Sequence, residues 1–154
     1  MINILFVFAF VIHNIEEAVW LPRWSKHAKK FHKSVDFNEF IFAVLIITIL
    51  GVLLTFLNSI YDNKIMNSLY LGYVGMMVLN AIFPHLVATI ALRRYAPGLI
   101  TAIALNLPIG SYILYESMKE LEFINIITST IFISAIIVVS LPVLFRISKW
   151  ITIE

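Results

Sequence analysis

The chain has 154 residues, of which 61% are hydrophobic and 13% are charged. Soluble domains contain about half apolar and about a quarter charged residues, so this composition indicates a membrane protein. The net charge of +2 is too small to favour nucleic-acid binding. The absence of cysteine excludes disulfides, thiolate metal sites and a cysteine nucleophile.

Five apolar segments follow one another along the chain, and a membrane-spanning helix needs about 20 mostly apolar residues. We therefore predict an all-α, polytopic membrane helical bundle that forms a single transmembrane domain over residues 1–154. The predicted spans are 2–21, 40–58, 68–92, 98–116 and 123–145, with a basic cytoplasmic surface loop at 22–39. On the third span, Gly72 and Gly75 are expected to allow close helix packing.

The distribution of lysine and arginine predicts the orientation, because short cytoplasmic loops carry an excess of these residues. The segments after the first, third and fifth spans hold nine of them, whereas the other two loops hold only Lys64 and Lys119. The N-terminus is therefore expected outside and the C-terminus inside. The expected location is the bacterial cytoplasmic membrane, and the chain is expected to bind no nucleic acid.

The first span carries an unusual polar cluster. Its apolar run, 1–12, is too short to cross a bilayer and becomes long enough only if the helix continues to Leu21. His13, Glu16 and Glu17 then lie in the membrane at positions i, i+3 and i+4, which share one helix face. Ionisable groups at this depth are costly, so they are expected to face the bundle interior and to have partners.

Two later spans are predicted to bring polar side chains to the same depth. His13 lies eight residues before Leu21, His85 eight before Arg93 and Asn106 eight after Gly98, and these three positions mark the inner ends of their spans. At 1.5 Å per residue, each is about 12 Å from the inner edge of the membrane. The three spans are therefore expected to build one polar level.

Two prolines are expected to kink the helices near this level. Pro84 has no amide hydrogen and displaces the carbonyl four residues earlier, which is that of Asn80. On an ideal helix Asn80 and His85 point about 140° apart, since each residue turns the helix by about 100°. They can join one site only if the kink rewinds the helix. Pro108, just after Asn106, predicts a second kink.

Imidazole and carboxylate groups together suit zinc, iron or manganese. We therefore assign His13, Glu17 and His85 as candidate ligands of a divalent metal ion. Glu16, Glu17, Asn80 and Asn106 are candidate catalytic residues, the carboxylates for proton transfer and the amides for orienting ligands or polarising a carbonyl. Which glutamate binds metal and which acts as acid or base stays open.

Three functions fit this pattern. The first is a membrane-embedded, metal-dependent enzyme that acts on a lipid or lipid-soluble substrate from the cytoplasmic leaflet, with hydrolysis as the default reaction. The second is a proton- or cation-coupled transporter or small-molecule binding protein that uses the glutamate pair, with a homodimer as a possible assembly. The third is a structural protein in which a polar clasp or an internal salt bridge, for example with Arg93, holds the helices together.

The segment His13-Asn14-Ile15-Glu16-Glu17 resembles the motif of the HXXEE family of small integral membrane proteins. Asn80 to His85 matches the family's Asn-and-His element, and Pro97-Gly98, followed by Asn106, matches its Pro-Gly element. The resemblance extends from about residue 5 to about residue 145. It implies a membrane enzyme, which is what the family is suspected to be. It supports the presence of a functional site but does not identify a reaction. The residues carried over are His13, Glu16, Glu17, Asn80, His85, Pro97, Gly98 and Asn106.

Overall fold

The computed structural model describes residues 1–27, 36–61 and 63–151. In this part of the chain there are five long helices and no β-strand. They are α1 (Ile2–Ser25), α2 (Phe37–Ile60), α3 (Lys64–Leu92), α4 (Leu99–Ser117) and α5 (Phe123–Ile151). Each is long and apolar enough to cross a membrane, which confirms the predicted all-helical, five-span architecture. The orientation stays a prediction.

The helices reach beyond the predicted membrane spans. α1 continues through Pro22 to Ser25, whose hydroxyl donates a hydrogen bond to the carbonyl of Pro22 at 2.8 Å. α2 begins at Phe37 because the Asp36 carboxylate caps it, accepting from the amide of Asn38 at 2.9 Å. Residues 22–25 and 37–39 of the predicted loop are thus helical, and its basic centre, 28–35, lies outside the described residues.

The core forms around the first half of α3, which packs against α2, α4 and α5. Two phenylalanines of α1 complete it: Phe6 meets the rings of Tyr70 and Tyr73 edge to face, and Phe10 meets Tyr73 at a centroid distance of 5.4 Å. Tyr73 is fully buried, and its hydroxyl donates to the backbone carbonyl of Ile47. A buried tyrosine needs such a partner, so this bond fixes α3 against α2.

Large apolar side chains also cover the outside of the bundle. Phe8 is 62% exposed, Phe56 59% and Val139 71%. A water-soluble monomer rarely shows apolar surface on this scale, whereas a bilayer covers it without cost. The exposed surface thus agrees with the helix lengths in supporting an integral membrane protein.

Gly72 and Gly75 lie where α3 meets α5. A Cβ added at Gly72 would lie 2.6 Å from the backbone oxygen of Ser129, whereas a Cβ at Gly75 would overlap the side chain of Thr130. Both glycines therefore permit the close packing predicted for them.

The two contacts differ in how easily they can relax, and this predicts a ranking. Gly72→Ala should lower the free energy of unfolding by about 1–3 kcal/mol, because a backbone carbonyl can move only with its helix. Gly75→Ala should cost less, because the Thr130 side chain can change rotamer. Thermal unfolding in detergent, followed by tryptophan fluorescence, measures both variants. The opposite ranking would show that α5 shifts as a rigid body.

Candidate metal centre

The break in α3 brings Asn80 and His85 together. α3 is kinked within Ala81–Leu86, where Phe83 has the extended angles φ −126° and ψ 120°. Pro84 follows with no amide hydrogen to give, which agrees with the predicted kink. The kink rewinds α3 so that Asn80 Nδ2 lies 3.1 Å from His85 Nε2. On an ideal helix these two side chains would point apart. The kink removes this divergence, so both can join one site.

α4 contains a second irregular turn at the predicted position. Residues Ala102–Asn106 are π-helical, immediately before the segment that contains Pro108. In a π-helix the hydrogen bonds join residues five apart. Thr101 and Asn106 therefore lie close to one face of α4, one wide turn apart.

Three side chains from α1 and α3 meet at the centre of the site. His85 Nε2 lies 2.9 Å from Glu17 Oε1, and His13 Nε2 lies 3.8 Å from Glu17 Oε2. Each residue offers one ligand atom, and all three atoms lie within 4.8 Å of one another. Both imidazoles are almost completely buried, whereas the Glu17 side chain keeps 14% of its surface exposed. His13, Glu17 and His85 thus form a group that could hold a metal ion, as the sequence predicted.

The hydrogen bonds of His13 define its tautomer. Nδ1 lies 3.1 Å from the backbone oxygen of Gly98 and 3.1 Å from Thr101 Oγ1. A carbonyl oxygen can only accept, so Nδ1 carries a hydrogen. In the neutral ring Nε2 then has a free electron pair, which points to the centre. Asn80 Nδ2 lies 3.0 Å from this nitrogen.

No single protonation state of His85 Nε2 suits both of its hydrogen-bonding neighbours. The Asn80 amide nitrogen, a donor, lies 3.1 Å away, and the Glu17 carboxylate, an acceptor, lies 2.9 Å away. If Nε2 carries a hydrogen, it donates to Glu17, but this hydrogen also faces the amide hydrogens of Asn80. If Nε2 carries no hydrogen, it accepts from Asn80, but its electron pair then faces the negative carboxylate of Glu17. A cation between the ring and the carboxylate, or a proton on Glu17, removes the conflict.

Glu16 has different neighbours from Glu17, although the two are adjacent in sequence. Its carboxylate accepts hydrogen bonds from Thr101 Oγ1 at 2.6 Å and from the Tyr95 hydroxyl. Partial burial, together with the hydrogen bond to Glu16, raises the pKa of Tyr95, so this hydroxyl stays a donor at neutral pH. Thr101 also contacts His13 Nδ1, which links Glu16 to the ring of His13.

Asn106 does not join the hydrogen-bond network of the described residues. It is fully buried, and neither Oδ1 nor Nδ2 has a partner among the described residues. A buried amide without partners is costly, so a group outside the protein chain, such as water or a ligand, is needed to satisfy it. Its catalytic role stays a prediction.

Sequence reasoning missed Thr101, Tyr95 and the use of Asn14. Thr101 lies one helical turn after Gly98, so the Pro-Gly element combined with an i, i+3 spacing would have pointed to it. Asn14 faces away from the centre and donates to Thr48 Oγ1 of α2 at 2.7 Å. The ion pairs of the described residues do not include one between Arg93 and either glutamate of the motif.

The family model described as a protein of unknown function with HXXEE motif matches residues 4–113, a range that contains the whole site. One relative, the uncharacterised protein YrkK of Bacillus subtilis (strain 168), is 42% identical over 146 residues, which cover 92% of each chain. No solved structure matches this chain. The motif, its later partners on α3 and α4 and both matches lead to one conclusion: the chain belongs to the HXXEE-motif family.

Proposed function

We propose that this chain is a membrane-embedded, metal-dependent hydrolase that acts on a lipid or lipid-soluble substrate from the cytoplasmic leaflet. The convergence of His13 Nε2, His85 Nε2 and the Glu17 carboxylate carries this proposal. Each of these groups can present an electron pair to one point, where, among the described residues, the Asn80 amide is the neighbouring donor. A divalent cation would satisfy all three at once.

The spacing of the donor atoms supports this fit. Ligand atoms about 2.0–2.2 Å from a tetrahedral zinc ion lie about 3.3 Å from one another. The separations of 2.9 and 3.8 Å from Glu17 to the two rings fall on either side of that value. Two imidazoles and one carboxylate, with a further position open, suit zinc, iron or manganese in a catalytic site. When bound, such an ion would supply Lewis acidity, which lowers the pKa of water and polarises a carbonyl or phosphoryl oxygen.

The remaining residues would orient the ligands and move a proton. The Gly98 carbonyl and Thr101 hold the ring of His13 by its Nδ1, as partners of metal-binding histidines usually do. The Asn80 amide lies beside Nε2 of both rings, the same atoms that would bind the ion, so it would turn away when the ion is bound. Glu16 would accept a proton from the attacking water and return it to the leaving oxygen. Its carboxylate lines an open pocket, so water and substrate can reach it.

The metal content of the purified protein tests this proposal. Wild-type protein, purified without chelators, should contain close to one equivalent of zinc, iron or manganese by elemental mass spectrometry. His13→Ala/Glu17→Ala should lose it, because two of the three ligands are gone. Asn14→Ala is the matched control, since it lies between them on α1 but bonds to Thr48. It should retain the metal.

A second function gains support from the hydrogen bonds that connect the two glutamates. Glu16 bonds Thr101, Thr101 contacts His13 Nδ1, and Glu17 lies beside both imidazoles. Such a chain can carry protons, as in a proton-coupled transporter. Metal-free wild-type protein that takes up a solute into vesicles with protons would favour transport. Metal-free protein without uptake would leave the polar groups as a clasp between helices.

A further inference from the structure

The open pocket that Glu16 lines lies at the end of α1, against the loop between α3 and α4. Its volume is about 410 Å³. Arg23 of α1 and Arg94 of the loop both line it, together with His27. Among the described residues neither arginine forms an ion pair. Two arginines from separate elements thus line one cavity, and neither has an ion-pair partner among the described residues.

The single carboxylate in the cavity wall does not neutralise them. Glu16 already accepts hydrogen bonds from Thr101 and Tyr95, and no ion pair to an arginine accompanies these bonds. The wall therefore offers an excess of positive charge. Guanidinium groups bind phosphate through paired N–H donors, so phosphate is the anion that this arrangement suits best.

Two tryptophans give the cavity an apolar side. Trp24 lies in the wall, and its buried Nε1 has no partner among the described residues. Trp20, also in the wall, is 55% exposed. Tryptophan prefers the level of the lipid headgroups, where its ring meets both water and hydrocarbon. The ligand should therefore combine an anionic head with an apolar body.

We propose that this cavity binds the phosphate headgroup of an anionic phospholipid and that such lipids are the substrate class of the site. The second half of the statement rests on the function proposed above, whereas the binding itself does not. Because Glu16 is part of both the cavity wall and the network around His13, a lipid held by its headgroup would have its nearest ester bonds beside Glu16.

Fluorescence quenching by brominated lipids measures the binding. The chain has three tryptophans, so Trp150→Phe leaves only Trp20 and Trp24, both in the cavity wall. In mixed micelles this protein should bind brominated phosphatidylglycerol at least about tenfold more tightly than brominated phosphatidylcholine. One basic residue near an anionic surface gives a preference of about fivefold, and the cavity supplies two arginines.

Three double variants distinguish binding in the cavity from the effect of general surface charge. In the same background, Arg23→Gln/Arg94→Gln should reduce the preference to about twofold or less. Lys26→Gln/Arg93→Gln removes the same charge from neighbouring positions that do not line the cavity, and should leave most of the preference. Arg23→Lys/Arg94→Lys should retain part of it, which excludes a folding defect as the cause. Equal losses in both glutamine pairs would overturn the proposal.

Inorganic phosphate and metal removal complete the test. Excess phosphate, at ionic strength matched with chloride, should displace little of the lipid. Full displacement would show that the cavity binds soluble phosphate and would overturn the lipid assignment. The readout needs neither metal nor turnover. If wild-type protein contains no metal but still prefers phosphatidylglycerol, only the proposed hydrolase is contradicted. If it contains metal but shows no lipid preference, only this inference is contradicted.

Discussion

Glu17→Gln should lose nearly all bound metal, whereas Glu16→Gln should keep it. The Glu17 carboxylate lies within 2.9 and 3.8 Å of the two imidazole nitrogens, while Glu16 bonds to Thr101 and Tyr95. Glutamine preserves size but removes the charge that neutralises a cation. Replacing even an outer partner of a ligand costs about 10–100-fold in affinity, so loss of a ligand should cost at least about 100-fold. Competition with a chelator measures this ratio.

The same pair of variants separates binding from chemistry. Glu17→Gln should lose turnover because the metal is lost. Glu16→Gln should lose turnover by about 10²–10⁴-fold with the metal in place, which is the usual contribution of an acid–base group. If Glu16→Gln loses the metal and Glu17→Gln retains it, the two roles are reversed. If both variants stay fully active, the hydrolytic mechanism is wrong.

Gly98→Ala should disable the site by a different route. Gly98 has φ +94°, which non-glycine residues rarely adopt, and a Cβ there would lie 2.7 Å from His85 Cε1 and 2.9 Å from His13 Cε1. Both atoms are carbons of the imidazole rings, beside Nε2. The methyl group should push both rings off the centre and lower the metal affinity by at least about tenfold. The backbone conformation should add about 1–2 kcal/mol of destabilisation.

Gly110→Ala is the matched control for this variant. Its added Cβ would meet the end of the Val78 side chain, which can rotate, and no ligand of the site. We expect a lower unfolding temperature at most, with unchanged metal content. Calorimetric titration with zinc on both metal-depleted variants compares them directly. Wild-type affinity in Gly98→Ala would show that the rings have room to move away from Gly98.

The sequence predicted the α1 part of the site well because it depends only on local geometry. His13 and Glu17 are four residues apart and share a helix face, and both reach the centre. The prediction that Glu16 faces the same centre was too coarse. Successive residues turn by about 100°, so Glu16 and Glu17 lie on opposite sides of the direction of His13. That divergence sends Glu16 to Thr101 and Tyr95.

The contributions of α3 and α4 could be predicted only in part. Pro84 indicated where α3 breaks, but the angles of Phe83, which decide where His85 points, depend on packing between helices. The contact between Thr101 and Glu16 spans 85 residues, and no local spacing signals such a pair. The equal depths predicted for His13 and His85 agree with the contact between their rings. Depth alone could not predict that Asn106 lacks a hydrogen-bond partner among the described residues.

If the site binds the ion proposed above, the burial of the two imidazoles should set the speed at which this ion exchanges. Of the three ligand residues only Glu17 has appreciable accessible surface, so an ion must enter past this carboxylate and shed its water there. The ring of His13 is held by its Nδ1, and the ring of His85 is buried, so neither can swing out to meet it. Loading and release should therefore take far longer than at an open surface site. The metal present during biosynthesis, rather than the one added later, should decide which ion the purified protein contains.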